Sequence, residues 1–327
     1  MNPRVVSLLP SATESLCAIG GGHLLVGRSH ECDFPPSVRG LPVLTSQTIR
    51  ETEPAAIDAR VREELAAGRS LYRVDEALLR SLKPDVILTQ DLCAVCSIDL
   101  ATVRRMAEAL NPKPAIVSLN PTTFEDVLDD LLTVGGAVGR EREAVQAVAA
   151  LRERVFAASE FVNAFEDGPN VVFLEWTDPL FVGGHWTPQL IERAGGRHPL
   201  NAPVARAEAG AAAGPQMAER IAGKSVRVAP EIVEAINPDA IVIAPCGMNL
   251  EETRRCAGRL VGQPWFAGTR AAQTRRIALV DGNQMFNRPG PRLVDAFEFL
   301  VGWLNARPEV IPADFPWEPI QLASVQV

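Results

Sequence analysis

Short apolar, β-branched runs alternate along the chain with amphipathic stretches, and both kinds of segment are closed by Pro, Gly and Asp. Arg4 to Leu9 reads as a strand that stops at Pro10, after which Ser11-Ala-Thr-Glu14 has the S-x-x-E spacing of a helix-starting capping box. Leu24 to Gly27 reads as a strand, Asp75 to Leu82 as a helix, and Asp85 to Thr89 as a buried strand. A helix near Leu100 to Leu110 and a strand at Ala115 to Leu119 follow. From Gly139 to about Phe165, Val145, Val148, Leu151, Val155 and Val162 recur three, four or seven apart, predicting one apolar stripe on a helix of roughly 25 residues. A helix of that length can bridge two lobes.

Asp167-Gly168-Pro169 ends it and a second alternation begins. Strands are predicted at Val171 to Leu174, Ala240 to Ile243 and Ile277 to Val280, with helices near Thr187 to Ala194 and from about Pro291 to Leu304. The fold class is therefore α/β, with mainly parallel sheets covered by helices on both faces. Leu82-Lys-Pro-Asp-Val-Ile-Leu in the first half is echoed by Ile236-Asn-Pro-Asp-Ala-Ile-Val in the second, as expected of two related lobes. The boundaries read as 1–135 for the first lobe, 136–166 for the connecting helix and 167–327 for the second lobe. Residues 202–223, rich in Ala and Gly with little periodicity, read as a mobile loop.

Composition narrows the function. Lys and Arg number 32 against 40 Asp and Glu, a formal charge of −8 without any basic run, which argues against nucleic acid and anionic membrane surfaces as partners. No apolar stretch approaches the roughly 20 residues a bilayer requires. The short apolar stretch after Met1 is also too brief for a secretory signal, so a cytoplasmic location is expected, or a periplasmic one if the true start lies upstream. In a reducing compartment the six cysteines read as metal-binding or redox-active before they read as staples.

In open α/β sheets ligands bind beyond the carboxyl ends of the strands, and the unusual residues gather at those positions. Ser11 and Glu14 follow the first strand, Arg28, His30 and Cys32 the second, and Cys93 and Cys96 a later one; Glu175, Trp176, His185, Trp186, Cys246 and Asn283 hold the corresponding places in the second half. Candidate metal ligands are His30, Cys32, Cys93, Cys96 and Cys246, the C-x-x-C pair supplying half a site. That pair also reads as a redox couple, as packed thiols or as a disulfide. Cys17 and Cys256 read as structural. His30 is a ligand, a general base, or a loop histidine bonded to a neighbouring carboxylate. Glu175 and Asp178 are a paired acid and base or, more in keeping with their position after a strand, recognition and capping groups. Trp176, Trp186 and Phe181 form a flat wall for a planar ligand or belong to the core. Gly223-Lys224-Ser225 resembles the end of a P-loop, but Ala218 stands where its first glycine is needed, and no familiar catalytic signature occurs.

Arg4-Val-Val-Ser-Leu-Leu-Pro-Ser-Ala-Thr-Glu14, Lys83-Pro-Asp-Val-Ile-Leu, the long central helix and Asn237-Pro-Asp-Ala-Ile-Val-Ile together resemble the iron-siderophore and vitamin B12 class (class III) of periplasmic solute-binding proteins. The cysteine-bearing segments resemble a leaderless, cobalamin-binding-protein-like branch of it. The resemblance implies two Rossmann-like lobes joined by a rigid backbone helix, with one ligand held between them. It implies a non-catalytic, monomeric protein that binds a small molecule: a corrinoid such as cobalamin, another metal complex, or a metal ion such as zinc or iron. The alternatives are a cytoplasmic metal- or thiol-dependent enzyme on the same scaffold, and an importer receptor that delivers to an ABC permease if exported.

Overall fold

Where a strand is buried on both faces, both sets of alternating side chains must be apolar, and the chain satisfies this in two separate sheets. The computed structural model describes residues 2–91, 98–163, 166–210, 214 and 220–321. It divides into two compact units: 1–121, 125–152 and 289–291 form the first; 122–124, 153–288 and 292–327 form the second.

In the first unit the strands are β1 (Val5–Ser7), β2 (Leu25–Arg28), β3 (Thr45–Gln47), β4 (Tyr72–Val74), β5 (Val86–Thr89) and β6 (Ala115–Ser118). A four-stranded parallel sheet has the order β2-β1-β5-β6, and β3 pairs antiparallel with β4 beside it. Val5 and Leu88 pack into one core with Leu16, Leu131 and Val148, whereas Val6 and Ile87 point into the opposite core with Leu79 and Val103. The helices are α1 (Pro10–Ala18), α2 (Pro54–Ala66), α3 (Glu76–Leu82), α4 (Leu100–Glu108) and α5 (Phe124–Val138). α3 ends at Lys83 in the left-handed region (φ 44°), directly before the Pro-Asp turn.

The next helix, α6 (Glu141–Ser159), runs from residues of the first unit into residues of the second. It has 19 residues, fewer than expected, and ends where the Ser159 hydroxyl turns back to the Val155 carbonyl at 2.8 Å. Val148 and Val155 are buried as predicted, but Val145 is 59% exposed and does not belong to the packed stripe.

The second unit carries β7 (Val171–Thr177), β8 (Leu180–Val182), β9 (Val204–Ala205), β10 (Arg220–Ile221), β11 (Val226–Arg227), β12 (Ala240–Ile243), β13 (Ile277–Val280) and β14 (Trp317–Pro319). Its six-stranded sheet has the order β11-β8-β7-β12-β13-β14, parallel across β7-β12-β13 and antiparallel at β8, β11 and β14. The remaining helices are α7 (Trp186–Arg193), α8 (Pro230–Ile236), α9 (Leu250–Val261), α10 (Pro264–Ala267), α11 (Arg270–Gln273) and α12 (Leu293–Leu304). β9 and β10 form an antiparallel ribbon within the segment expected to be a mobile loop, whose residues 211–213 and 215–219 lie outside the described residues. α8 repeats the ending of α3, with Asn237 at φ 45° before Pro238, so the sequence echo has a counterpart in backbone geometry.

Candidate functional site

In the first unit the carboxyl ends of β1 and β2 are joined by buried polar contacts. Pro10 occupies the first turn of α1, where its missing N–H is not needed, so the helix starts ahead of Ser11. The N-cap is Leu9 without a side-chain bond, and the predicted capping box does not form; Ser11 and Glu14 lie buried within the helix. Thr13 faces the loop after β2, its hydroxyl 3.0 Å from the sulfur of the fully buried Cys32. Arg28, a predicted ligand contact, holds that loop together, donating to the carbonyls of Ser29 (3.1 Å), Cys32 (2.9 Å) and Arg39 (2.9 Å).

His30 does not bond a carboxylate through its Nδ1. Its backbone N–H (3.0 Å) and ring Nδ1 (2.7 Å) both meet Thr45 Oγ1, while the Thr45 hydroxyl donates to Ser29 Oγ at 3.0 Å. Its Nε2 is buried without a hydrogen-bond partner. Burial, with Arg28 alongside, lowers its pKa and keeps the ring neutral at pH 7. Thr45 was not singled out from sequence, because no local spacing ties it to a histidine on another strand's loop. The Cys17 thiol is pushed up to about 11 by burial and by Glu14, which makes it unreactive at neutral pH.

In the second unit the ends of β7, β12 and β13 are laced together by backbone. Cys246 N–H donates to the Glu175 carbonyl (3.0 Å) and Asn283 N–H to the Met248 carbonyl (2.8 Å), while the Asn287 amide reaches the carbonyls of Ala244 (3.0 Å) and Gly282 (2.8 Å). Glu175, Cys246 and Asn283, far apart in sequence, are thus brought together, with the Cys246 side chain at the exposed surface. Arg288, only 7% exposed, donates to Asn283 Oδ1 at 3.0 Å and is a polar group of this cluster that sequence reasoning missed. Gly282 packs so closely on Ala244 and Pro245 that a Cβ would collide with their backbone.

The two tryptophans differ. Trp176 is half-buried and its indole donates to the Asp178 carbonyl at 3.1 Å. Trp186 is 6% exposed and donates to the Phe286 carbonyl at 2.6 Å, so it buttresses the loop after β13 from within. His185 caps α7 in a positive-φ conformation (54°), stacks on Trp186 at 5.5 Å, and is held neutral by burial and by Lys224. Asn201 fixes the neighbouring turns by donating to the carbonyls of Gly183 and Lys224, each at 3.0 Å. Cys256 is buried against Met248, sulfur to sulfur at 3.4 Å, in keeping with a structural role.

Cys93 and Cys96 lie outside the described residues. Among the described residues no group of three or more His, Cys, Asp or Glu side chains is arranged to hold a metal ion, and no helix is long and apolar enough to cross a membrane.

Two α/β units with parallel-sheet cores, and a helix running from one into the other, define the two-lobe solute-binding class. The chain belongs to the periplasmic binding protein family, whose model matches residues 5–283. No curated protein matches it. Among solved structures it is similar to the periplasmic heme-binding protein RhuT from Roseiflexus sp. RS-1, at 21% identity over 94% of this chain and 100% of that one, with a TM-score of 0.65. A periplasmic heme-binding protein from Pseudomonas aeruginosa is 19% identical over 98% and 96% of the two chains, with a TM-score of 0.67. The periplasmic vitamin B12 binding protein BtuF of Vibrio cholerae is 18% identical over 94% and 98%, with a TM-score of 0.63. At these identities the likeness concerns the fold.

Proposed function

We propose that this protein is a non-catalytic receptor for a metal-bearing macrocycle of the corrinoid class. The observation that carries this reading is membership of the binding-protein family across residues 5–283, supported by relatives of the same fold that bind heme or vitamin B12. The proposed contacts are Glu175, Trp176, Cys246 and Asn283 of the second unit, all near or beyond carboxyl ends of strands, where loops present backbone and side-chain polar groups. Ser11, Glu14, Arg28 and Trp186 are assigned to shaping those ends, since each is packed within its unit or bonded to backbone there. Cys93 and Cys96 remain proposed ligands.

The test is titration of the full-length, reduced protein with aquocobalamin and with hemin, followed by absorption and calorimetry. A dissociation constant of about 1 μM or tighter, near −8 kcal/mol, is expected for at least one of them. Failure to bind either would remove the assignment. The compartment belongs to the same proposal. We read the protein as cytoplasmic, a compartment in which its six cysteines would stay reduced. Cell fractionation decides between this and delivery to a membrane permease from the periplasm.

A further inference from the structure

We propose that the outward face of α6 is the interface of a two-fold dimer, in which Phe156 of each copy seats among Arg142, Val145, Gln146 and Ala149 of the other.

The helix has two unlike faces. Ala144, Val148, Val155 and Ala158 are buried. On the other side Arg142, Ala149, Glu153 and Phe156 are all exposed, and at 3.6 residues per turn they fall within about 60° of one another around the axis. Glu160, the first residue past the helix, continues the line. All of these stand on one element, so their spacing is that of the helix itself. Phe156 is 71% exposed, the most of any large hydrophobic side chain among the described residues, and Val145 on the same side is 59% exposed. The monomer implied by the family resemblance leaves this face bare.

The spacing says what fits it. Arg142, Val145, Gln146 and Ala149 stand at i, i+3, i+4 and i+7, the corners of a hole that receives one side chain from a facing helix. Ala149 lies seven residues after Arg142 and seven before Phe156, so an antiparallel copy that crosses at Ala149 sets Phe156 over that hole. The two-fold axis makes the same contact twice, and the small Ala149 side chain lets the helices approach at the crossing.

Charge complementarity selects a second copy as the occupant. Arg152 is engaged within the chain by Glu125 and Asp129, and Arg154 by Asp295 and Glu298. Arg142, Glu153 and Glu160 have no ion pair among the described residues. In the antiparallel pair Glu153 and Glu160, about one turn to either side of Phe156, bracket Arg142 of the other copy, and the guanidinium meets the ring between them. A parallel pair sets Arg142 against Arg142 and Glu153 against Glu153, and like charges reject it. One helix pair buries less than the ~1,200 Å² typical of stable interfaces, so the association is reversible.

The experiment is sedimentation equilibrium of the full-length protein over about 1–500 μM, for wild type, Phe156→Ala, Arg142→Glu and the double variant Glu153→Arg/Glu160→Arg. Wild type is expected to dimerise with a dissociation constant of about 10–100 μM, and each variant to weaken this at least about tenfold. Unchanged circular dichroism is expected throughout, because the altered side chains are exposed. The decisive sample mixes R142E with E153R/E160R. Each alone sets like charges together, whereas the mixed dimer has opposite charges at both ends, so the mixture is expected to associate as tightly as wild type. Wild type that stays monomeric over the whole range overturns the proposal and leaves the face to another partner. F156A that dimerises like wild type overturns it too, as does a mixture no tighter than its separate components.

Discussion

Asp130 on α5 shows how one buried side chain sets a pH dependence. One of its carboxylate oxygens is buried without a partner, and burial, followed by the charges of Asp126 and Asp129, raises its pKa to about 7. Because the folded-state value lies above the unfolded one, the native state binds this proton more tightly. Its contribution to stability is complete below about pH 4 and is lost as pH rises through about 7. Asp130→Asn is expected to be more stable than wild type by about 1–3 kcal/mol at pH 8 and similar to it at pH 4. Thermal melts across that range decide it, and parallel curves for the two proteins would refute the sign. The cysteines differ by the same logic of exposure. Alkylation of the native protein with peptide mapping is expected to label Cys246 quickly and Cys17, Cys32 and Cys256 slowly, because only Cys246 of these four is exposed.

At the scale of elements, the β9–β10 ribbon is anchored by one arginine. Arg220 makes a two-pronged pair with Glu192 of α7 at 2.8 and 2.7 Å and donates to the Pro203 carbonyl at 2.7 Å. Both side chains are largely buried, at 18% and 13% exposure, so removal of one leaves the other charge poorly solvated. Arg220→Ala is expected to cost about 3 kcal/mol in urea unfolding, and Arg220→Lys to recover only part of it, since an ammonium cannot reproduce the planar fork. Hydrogen exchange should quicken first at the amides of β9 and β10. The turn before α7 is constrained in another way: a Cβ on Gly184 would collide with the backbone of Lys224 and Ser225. Gly184→Ala is therefore expected to destabilise the second unit by about 1–3 kcal/mol through overpacking, read by the same unfolding assay.

For the whole molecule, a ligand that binds only the folded chain adds RT ln(1 + [L]/Kd), about 2.7 kcal/mol at a hundredfold excess over Kd. A rise in melting temperature with aquocobalamin or hemin is the expected signature of the proposed function. Family membership, established by a match over residues 5–283, makes binding the starting point for this fold. The bound species depends on the side chains at the strand ends.

The runs that became β1, β5, β7, β12 and β13 were legible in sequence because a strand buried on both faces must be apolar at every position, as Val171 to Leu174 and Ala240 to Ile243 are. α3 and α8 were marked by the Pro-Asp turns behind them. α9 was overlooked although Asn249 and Glu252 form a capping box at its start, and α2 although Pro54 opens it, whereas the capping box at Ser11 misled because Pro10 starts the helix first. At the site, strand ends pointed to Glu175, Cys246 and Asn283, which the second unit gathers through backbone hydrogen bonds. The chain by itself therefore determined the alternation of strands and helices, a consequence of local periodicity and burial. Only tertiary structure decided that His30 rests on Thr45, that Arg28 is tied to its own loop, and that the Trp186 indole reaches Phe286, 100 residues away. A hydrogen bond depends on where folding places two atoms, and the spacing of residues along the chain carries no record of that meeting.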